Sequence, residues 1–310
     1  MWRTVELTVR IMKELSITPS HWNVKRSYSE VAKKLGVDEE TVRIRMQSLK
    51  QSGFLLGWRL ILNAHLIGRE SSIITLELDD DDIEKKDEAI AQLTRMDGVV
   101  LIQSFYGKSL QVTIFSGTEK ELQQKLKIIT SISRIKIFTH WKVKLPRCNL
   151  KPRQIDWMII GALLKNADRK IPDIARELKV SAKTVKRRIS IMMESSAFFM
   201  QPILDLKKVS GTLPCQLLVQ CSEEKKPMID NLITSKFERI VFSLTDSATH
   251  SIFTIICVNL AEAQSILKEV QKQEGVRLAK MEIIEELIYV HDWLAKEVRK
   301  GAFLLNPDGL

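Results

Sequence analysis

The chain has 310 residues, enough for two to four compact domains, and is 45% apolar and 28% charged, as globular proteins in water are. No apolar run reaches the ~18–20 residues that span a bilayer. Lys plus Arg number 48 and Asp plus Glu 38, a net charge of +10 that suits a polyanionic partner without requiring one. The N-terminus, MWRTVELTVRIMKEL, mixes charges throughout and lacks the apolar centre of a signal peptide, so a cytoplasmic location is expected.

Taken in chain order, residues 1–15 space their apolar side chains at intervals of three and four, which predicts a helix. The turn-rich segment SITPSHWNVKRS follows. A helix, a turn and a second helix then occupy 29–50. In the second helix Val42, Met46 and Leu49 form the core stripe, leaving the opposite face for solvent or DNA. Asp38 stands at its N-cap position. The apolar stretch Phe54–Asn63 reads as a two-stranded hairpin, the wing of a winged helix. Residues 72–144 read strand, helix, strand, strand, helix, strand, with clean alternation at Leu110, Val112 and Ile114. This βαββαβ order is the ferredoxin-like plan.

WKVKLPRCNLKPRQ comes next, carrying Lys142, Lys144, Arg147, Lys151 and Arg153, two prolines and no acid. It reads as an exposed linker whose cations could also graze phosphates. A second helix-turn-helix follows, with Val185, Ile189 and Met192 as its stripe and Ser181 as N-cap, then a second wing at Phe198–Leu206. QLLVQCS to VRLAKMEIIEEL repeats the βαββαβ order, and a helical tail is expected around Tyr289–Val298. The expected fold class is α+β, with winged-helix domains at 1–68 and 146–211 and ferredoxin-like domains at 69–145 and 212–310.

The two halves share an ungapped pattern. Val31–Gly53 aligns on Ile174–Ser196 at a constant offset of 143 residues, since 174 − 31 = 143. Ala32, Leu35, Val37, Thr41, Val42, Arg45 and Ser52 recur as Ala175, Leu178, Val180, Thr184, Val185, Arg188 and Ser195. A repeat of this kind sets the architecture, and paired reading helices suit palindromic DNA.

DNA is read by side chains that reach base edges from a groove-bound helix, with cations for phosphates. In the second copy Lys183, Lys186, Arg187 and Ser190 occupy the exposed face, with Arg188 adjacent and Ser181 and Thr184 near the helix start, where a phosphate is favoured. The first copy opens with Asp38, Glu39 and Glu40 before Thr41, Arg43 and Arg45, with Lys25, Arg26, Lys33 and Lys34 on the approach. Its carboxylates repel phosphates, so the second copy is expected to be the stronger reader. Arg45 and Arg188 occupy equivalent positions. Either contacts phosphate, or, for Arg188, an ion pair forms with Asp156; both readings stand.

Trp22, Trp58 and Trp141 are scattered and read as packing residues. Cys148, Cys215, Cys221 and Cys257 form no CxxC pair and read as buried free thiols. The five histidines lack metal-ligand spacing, and no HExxH, P-loop or GxGxxG occurs. No metal, cofactor or catalytic residue is therefore assigned.

The stretch IDWMIIGALLKNADRKIPDIARELKVSAKTVKRRISIMMESSAFF, with Asp156, the Asp168–Arg169 turn and the LxVSxxTVxxR core, resembles the Lrp/AsnC transcription factors. A winged helix followed by a βαββαβ domain is that family's layout, and the tandem form resembles archaeal-type variants. The resemblance implies a non-enzymatic regulator bound to double-stranded DNA. In the family, sheets of two βαββαβ domains pack face to face, so an internal pseudo-dimer is expected here. Gly107, in SFYGKSLQ, is the candidate effector turn, although the Asp of the family's Gly-x-x-Asp is absent; the second copy has LTDSATHS there. A small-molecule effector and pairing of whole chains stay open. Sirohaem decarboxylases share the architecture; on that reading the chain holds a tetrapyrrole, with His140 and His250 as the residues to suspect. Two further rivals are a non-specific architectural DNA binder and a chain whose acidic first copy docks a protein.

Overall fold

The computed structural model describes residues 7, 8, 10, 11, 14, 27–79, 82–132, 135–205, 208 and 211–304. Most of the expected first helix, and His21, Trp22, Lys25 and Arg26, lie outside the described residues, as does the polar end at 305–310.

The helix pair α1 (Tyr28–Leu35) and α2 (Glu39–Gln51) leads into strand β1 (Leu55–Leu62). A short 3₁₀ turn at Ala64–Ile67 precedes β2 (Glu70–Leu78), α3 (Ile83–Thr94), β3 (Val99–Phe105), β4 (Ser109–Ser116), α4 (Glu119–Ser131) and β5 (Ile135–Val143). After the linker come α5 (Gln154–Lys165), α6 (Ile171–Glu177), α7 (Ala182–Glu194) and β6 (Phe198–Leu204). Then follow β7 (Leu213–Cys221), α8 (Lys226–Lys236), β8 (Ile240–Leu244), β9 (His250–Cys257), α9 (Leu260–Gln271), β10 (Val276–Tyr289) and α10 (Asp292–Leu304). The class is α+β. The strand β10 runs through Tyr289, where the tail helix was expected to begin; that helix starts at Asp292 instead.

The chain divides into two compact bodies. One comprises Met1–Gly57 with Gln201–Glu285, the other Trp58–Met200 with Glu286–Leu310. Each therefore draws its helix-turn-helix and its βαββαβ strands from opposite halves of the sequence.

In the Trp58–Met200 body the strands lie in the order β5-β2-β4-β3, antiparallel, with Ile74 opposite both Val112 and His140. Ile74, Leu76, Leu110, Val112 and Ile114 pack with Leu93 of α3 and Leu126 and Ile129 of α4 into one core. This is the face that the alternation in LQVTIF predicted, because successive strand residues point to opposite sides. Residues of the opposite parity, Ile73, Gln111 and Phe115, are buried as well. In the Gln201–Glu285 body the order is β10-β7-β9-β8, and Leu217, Val219, Phe253 and Ile255 pack on Ile229, Ile233, Ile266 and Val270 of the two helices. Cys215, Cys221 and Cys257 are buried in that core, Cys148 is half-buried, and all four are free thiols.

The expected wing hairpins are not formed. Phe54–Asn63 and Phe198–Leu206 each supply one strand, and β1 pairs with β6. Asn63 N donates to Ala197 O at 3.0 Å, and Asp205 N donates to Phe54 O at 2.8 Å. Neither stretch contains a two-residue turn signal. An unbroken extended strand still needs ladder partners, and each finds them on the other.

The repeat also explains two strained turns. Gly36, in the helix-turn-helix turn of the first copy, has φ 66, and Lys179 at the equivalent position has φ 53. After the second helix Gly53 has φ 73 and its counterpart Ser196 has φ 55. The second copy meets the same backbone requirement without glycine, with a side chain held in a left-handed conformation that costs about 1 kcal/mol or more.

The tail helix α10 docks on α5 within one body. Trp293 stacks edge-on against Phe115, ring centroids 6.3 Å apart at 82°, and the Arg69 guanidinium lies 5.1 Å from its ring centre. Arg69 also pairs with Glu121 at 2.9 Å and Glu297 at 3.7 Å. Two glycines at the α5–α10 contact differ sharply. A Cβ at Gly301 would stand 2.6 Å from Trp157 Cε2, whereas one at Gly161 would meet Val298 Cγ1 at 3.8 Å. Alanine gains about 1 kcal/mol over glycine in a helix interior, while overpacking against a ring costs about 1–3 kcal/mol. Gly161→Ala should therefore raise the urea midpoint, and Gly301→Ala should lower it despite its better helix propensity; movement of both midpoints in the same direction would contradict this packing.

Candidate nucleic-acid interface

The three helices α5, α6 and α7 are organised around one buried ion pair. Asp156, on the first turn of α5, is fully buried, and Arg188 of α7 is 5% exposed. Arg188 Nε donates to Asp156 Oδ1 at 2.6 Å, and a second guanidinium nitrogen donates to Oδ2. Asp156 Oδ2 also accepts from Arg153 N at 2.7 Å. The bond to Asp156 pushes the Arg188 pKa up from its already high ordinary value. Of the two readings of Arg188, the geometry takes the ion pair: this guanidinium points into the domain.

That pairing sets the rotation of α7 about its own axis. Val185, Arg188 and Met192 are buried at i, i+3 and i+7. With 3.6 residues per turn, Lys183, Lys186, Arg187 and Ser190 must then face outward, and all four are exposed. Among the described residues no carboxylate pairs with Lys183, Lys186 or Arg187. Ser181 Oγ accepts from Thr184 N at 3.0 Å and lies 2.9 Å from Thr184 Oγ1. These two hydroxyls build the helix cap, and Thr184 is half-buried.

The equivalent helix α2 is built differently. Asp38 sits at the N-cap position without a side-chain cap bond, unlike Ser181. Glu39 and Glu40 both grip Arg43, at 2.6 Å for the Glu39 contact. The two glutamates that open the helix thus share one neighbouring cation, which offsets one of their two charges. Thr41 and Arg45 are half-buried, and among the described residues no carboxylate pairs with Arg45. Lys34 pairs with Glu14 at 2.7 Å.

Other singled-out residues have structural settings. The linker, read as exposed, is pinned at Pro146, whose carbonyl accepts from Asn63 Nδ2 at 2.8 Å. The same amide group donates to Ser196 O at 2.8 Å, so buried Asn63 ties β1, the linker and the end of the helix-turn-helix together. Asp168 Oδ2 accepts from Trp58 N at 3.1 Å, and Arg169 pairs with Glu177. Trp58 and Trp141 are buried, as packing residues are. Gly107 has φ 85 and its carbonyl accepts from buried Lys86 Nζ at 2.9 Å. His140 is exposed on edge strand β5, and His250 is buried with Nδ1 2.9 Å from Thr249 Oγ1. Among the described residues no group of three or more His, Cys, Asp or Glu could hold a metal ion, and no helix is long and apolar enough to cross a membrane.

Residues 154–193, which span this whole ion-paired helical unit, match the AsnC-type helix-turn-helix domain. An uncharacterized HTH-type transcriptional regulator of Pyrococcus furiosus is 30% identical over 98 residues, covering 31% of this chain and 66% of that relative, just short of two thirds of its length. The helix-turn-helix of the second copy is thus similar to those of AsnC-type regulators. Its fold is also similar along nearly its full length to a siroheme decarboxylase, NirDL. The structure of that enzyme in co-complex with an iron-uroporphyrin III analogue aligns with TM-score 0.53 at 13% identity, covering 98% of this chain and 100% of the other. NirDL by itself aligns with the same TM-score and identity, covering 97% and 99%. At that identity the likeness is one of fold.

Sequence reasoning passed over three features of this chain. Lys179 is exposed in the helix-turn-helix turn, and alignment with Gly36 marks its backbone as left-handed. Ile44 and Gln47 occupy the outward face of α2, which the repeat offset places opposite Arg187 and Ser190. Asn63 carries no sequence signal, because its bonds are to carbonyls more than 80 residues distant. Breaking a buried pair by removing one partner costs about 3–5 kcal/mol, whereas replacing both by apolar groups is often near neutral. Asp156→Ala should lose that amount in urea denaturation, and Asp156→Leu/Arg188→Met should lose less than the single variant. Equal losses would mean the pair does not organise the helices.

Proposed function

We propose that the chain is a DNA-binding transcription regulator, made of two copies of a helix-turn-helix plus βαββαβ unit, whose second helix-turn-helix is the stronger reader. The observation that carries this is on α7: three cations, Lys183, Lys186 and Arg187, lie exposed and without carboxylate partners, while the fourth, Arg188, is turned inward to set their direction. Cations aimed outward from one helix face suit the phosphates and base edges of a major groove. Ser190 extends the face, and Ser181 and Thr184 prepare the helix start for a phosphate. Thr41, Arg43 and Arg45 form the corresponding, weaker set. The repeat and the family resemblance support an internal pseudo-dimer, with double-stranded DNA as partner and an imperfect palindrome as its site. The protein acts in the cytoplasm on this reading. Gly107 remains the turn at which an effector would be sought.

A second reading rests on the full-length fold likeness to NirDL: a tetrapyrrole enzyme of sirohaem-decarboxylase type, with His140 and His250 as its candidate residues. An exposed cationic helix has no evident use in such chemistry.

Selection of a random duplex library on the full chain should return a defined motif, bound roughly 10³-fold tighter than scrambled DNA. Lys186→Ala/Arg187→Ala should weaken binding and flatten the dependence of log affinity on log salt by about 1–2, because each phosphate left unneutralised takes about 0.9 from the slope. Steep salt dependence without a motif would point to an architectural binder. No DNA binding, together with a Soret shift on mixing with iron-uroporphyrin, would favour the enzyme.

A further inference from the structure

We infer that α2 reads A·T base pairs, through Ile44 and Gln47, while α7 works with cations, so that the two half-sites differ in base composition; this rests on the DNA-binding reading above. Val42 and Met46 point into the core, and Leu49 is half-buried beside them. Rotation at 3.6 residues per turn then places Glu40, Ile44, Gln47 and Gln51 in one outward row. All four are exposed, Ile44 at 56%. The repeat offset sets them against Lys183, Arg187, Ser190 and Glu194. Where the second copy offers a guanidinium, the first offers an aliphatic side chain, followed by a carboxamide.

Those two groups have specific complements in a major groove. An aliphatic side chain gains by contact with the C5-methyl of thymine. A glutamine amide donates to N7 and accepts from N6–H of adenine, and both partners are present only at an A·T pair. Guanine offers two acceptors and favours a cation, which this row lacks.

The charges around the row allow a duplex to approach. Glu39 and Glu40 both pair with Arg43, which offsets one of their two charges within the helix. Lys33 of α1 and Lys50 of α2 are exposed, and among the described residues neither has a carboxylate partner. Lys50 follows Gln47 by three residues, and Lys33 lies on the helix that in such a pair crosses the backbone, so both suit phosphates. A protein-docking face is a poorer fit, because Ile44 is a single apolar residue among polar ones and offers no contiguous apolar patch.

The test uses the full chain and the duplex that it selects. Anisotropy is read for the wild type, Gln47→Ala and Ile44→Ala on that duplex and on versions with single A·T pairs exchanged for G·C, across salt. The wild type should lose roughly 5- to 100-fold at one or two A·T positions of one half-site. Gln47→Ala should bind the selected duplex roughly tenfold more weakly and discriminate less than about twofold at its position. Its salt slope should stay that of the wild type, because every phosphate-neutralising cation is still in place. Ile44→Ala should relax a neighbouring thymine preference in the same way. Full discrimination in both variants, or weaker binding accompanied by a flatter salt slope, overturns the inference while leaving DNA binding standing. A wild-type chain that binds no duplex overturns the DNA reading itself.

Discussion

The carboxylate of Asp156 and the guanidinium of Arg188 decide what the second helix-turn-helix can present. A helix packed only by Val185 and Met192 can roll by tens of degrees for little cost, because apolar contact is non-directional. A bidentate bond is directional. It couples the first turn of α5 to the middle of α7 and fixes which residues of KTVKRR face water. Burial makes the arrangement demanding: an unpaired charge in this position costs several kcal/mol, so the helices hold this register or pack badly. The outward placement of Lys183, Lys186 and Arg187 is thus a consequence of an inward bond.

The contrast with α2 shows how one repeat yields two unequal surfaces. Both helices share the inward stripe and the equivalent arginine, so they are built to the same plan. They differ in how their cations are used. In α2 the acids lie one turn before Arg43 and capture it, the spacing at which helix side chains meet. In α7 no acid precedes Lys186 within reach, and the cations stay solvated. Net charge alone would not distinguish a helix whose cations are spent internally from one whose cations remain available to a partner.

Much of this was legible beforehand, and the rest has identifiable causes. The βαββαβ order, the α2 and α7 stripes and the Asp156 alternative for Arg188 follow from periodicity and from the repeat, which are local or self-referential signals. The wings were misread because strand content is local whereas strand pairing is not. Leu55–Leu62 and Phe198–Leu204 are extended as expected, but nothing in either says that its partner lies some 140 residues away, at about the repeat offset of Ile174 from Val31. The same holds for Asn63, whose two carbonyl partners come from distant segments. The pairing of Glu39 and Glu40 with Arg43 was legible in principle, since the spacing is i+3 and i+4. The A·T-reading row of α2 became visible only when exposure separated Ile44 from the core stripe.

The likeness to a siroheme decarboxylase over the full chain limits what architecture can say here. One fold at 13% identity can host either a DNA reader or a tetrapyrrole enzyme. The decision therefore falls to side chains. A pocket enzyme gains nothing from keeping three uncompensated cations on a solvent face, where mutual repulsion costs stability and no substrate is enclosed. His250 Nδ1 lies 2.9 Å from Thr249 Oγ1 while its backbone N donates to Ser247 Oγ, and His140 stands on an exposed sheet edge. A surface that is costly to keep and useless to a pocket is understandable when its partner is a polyanion that comes to it.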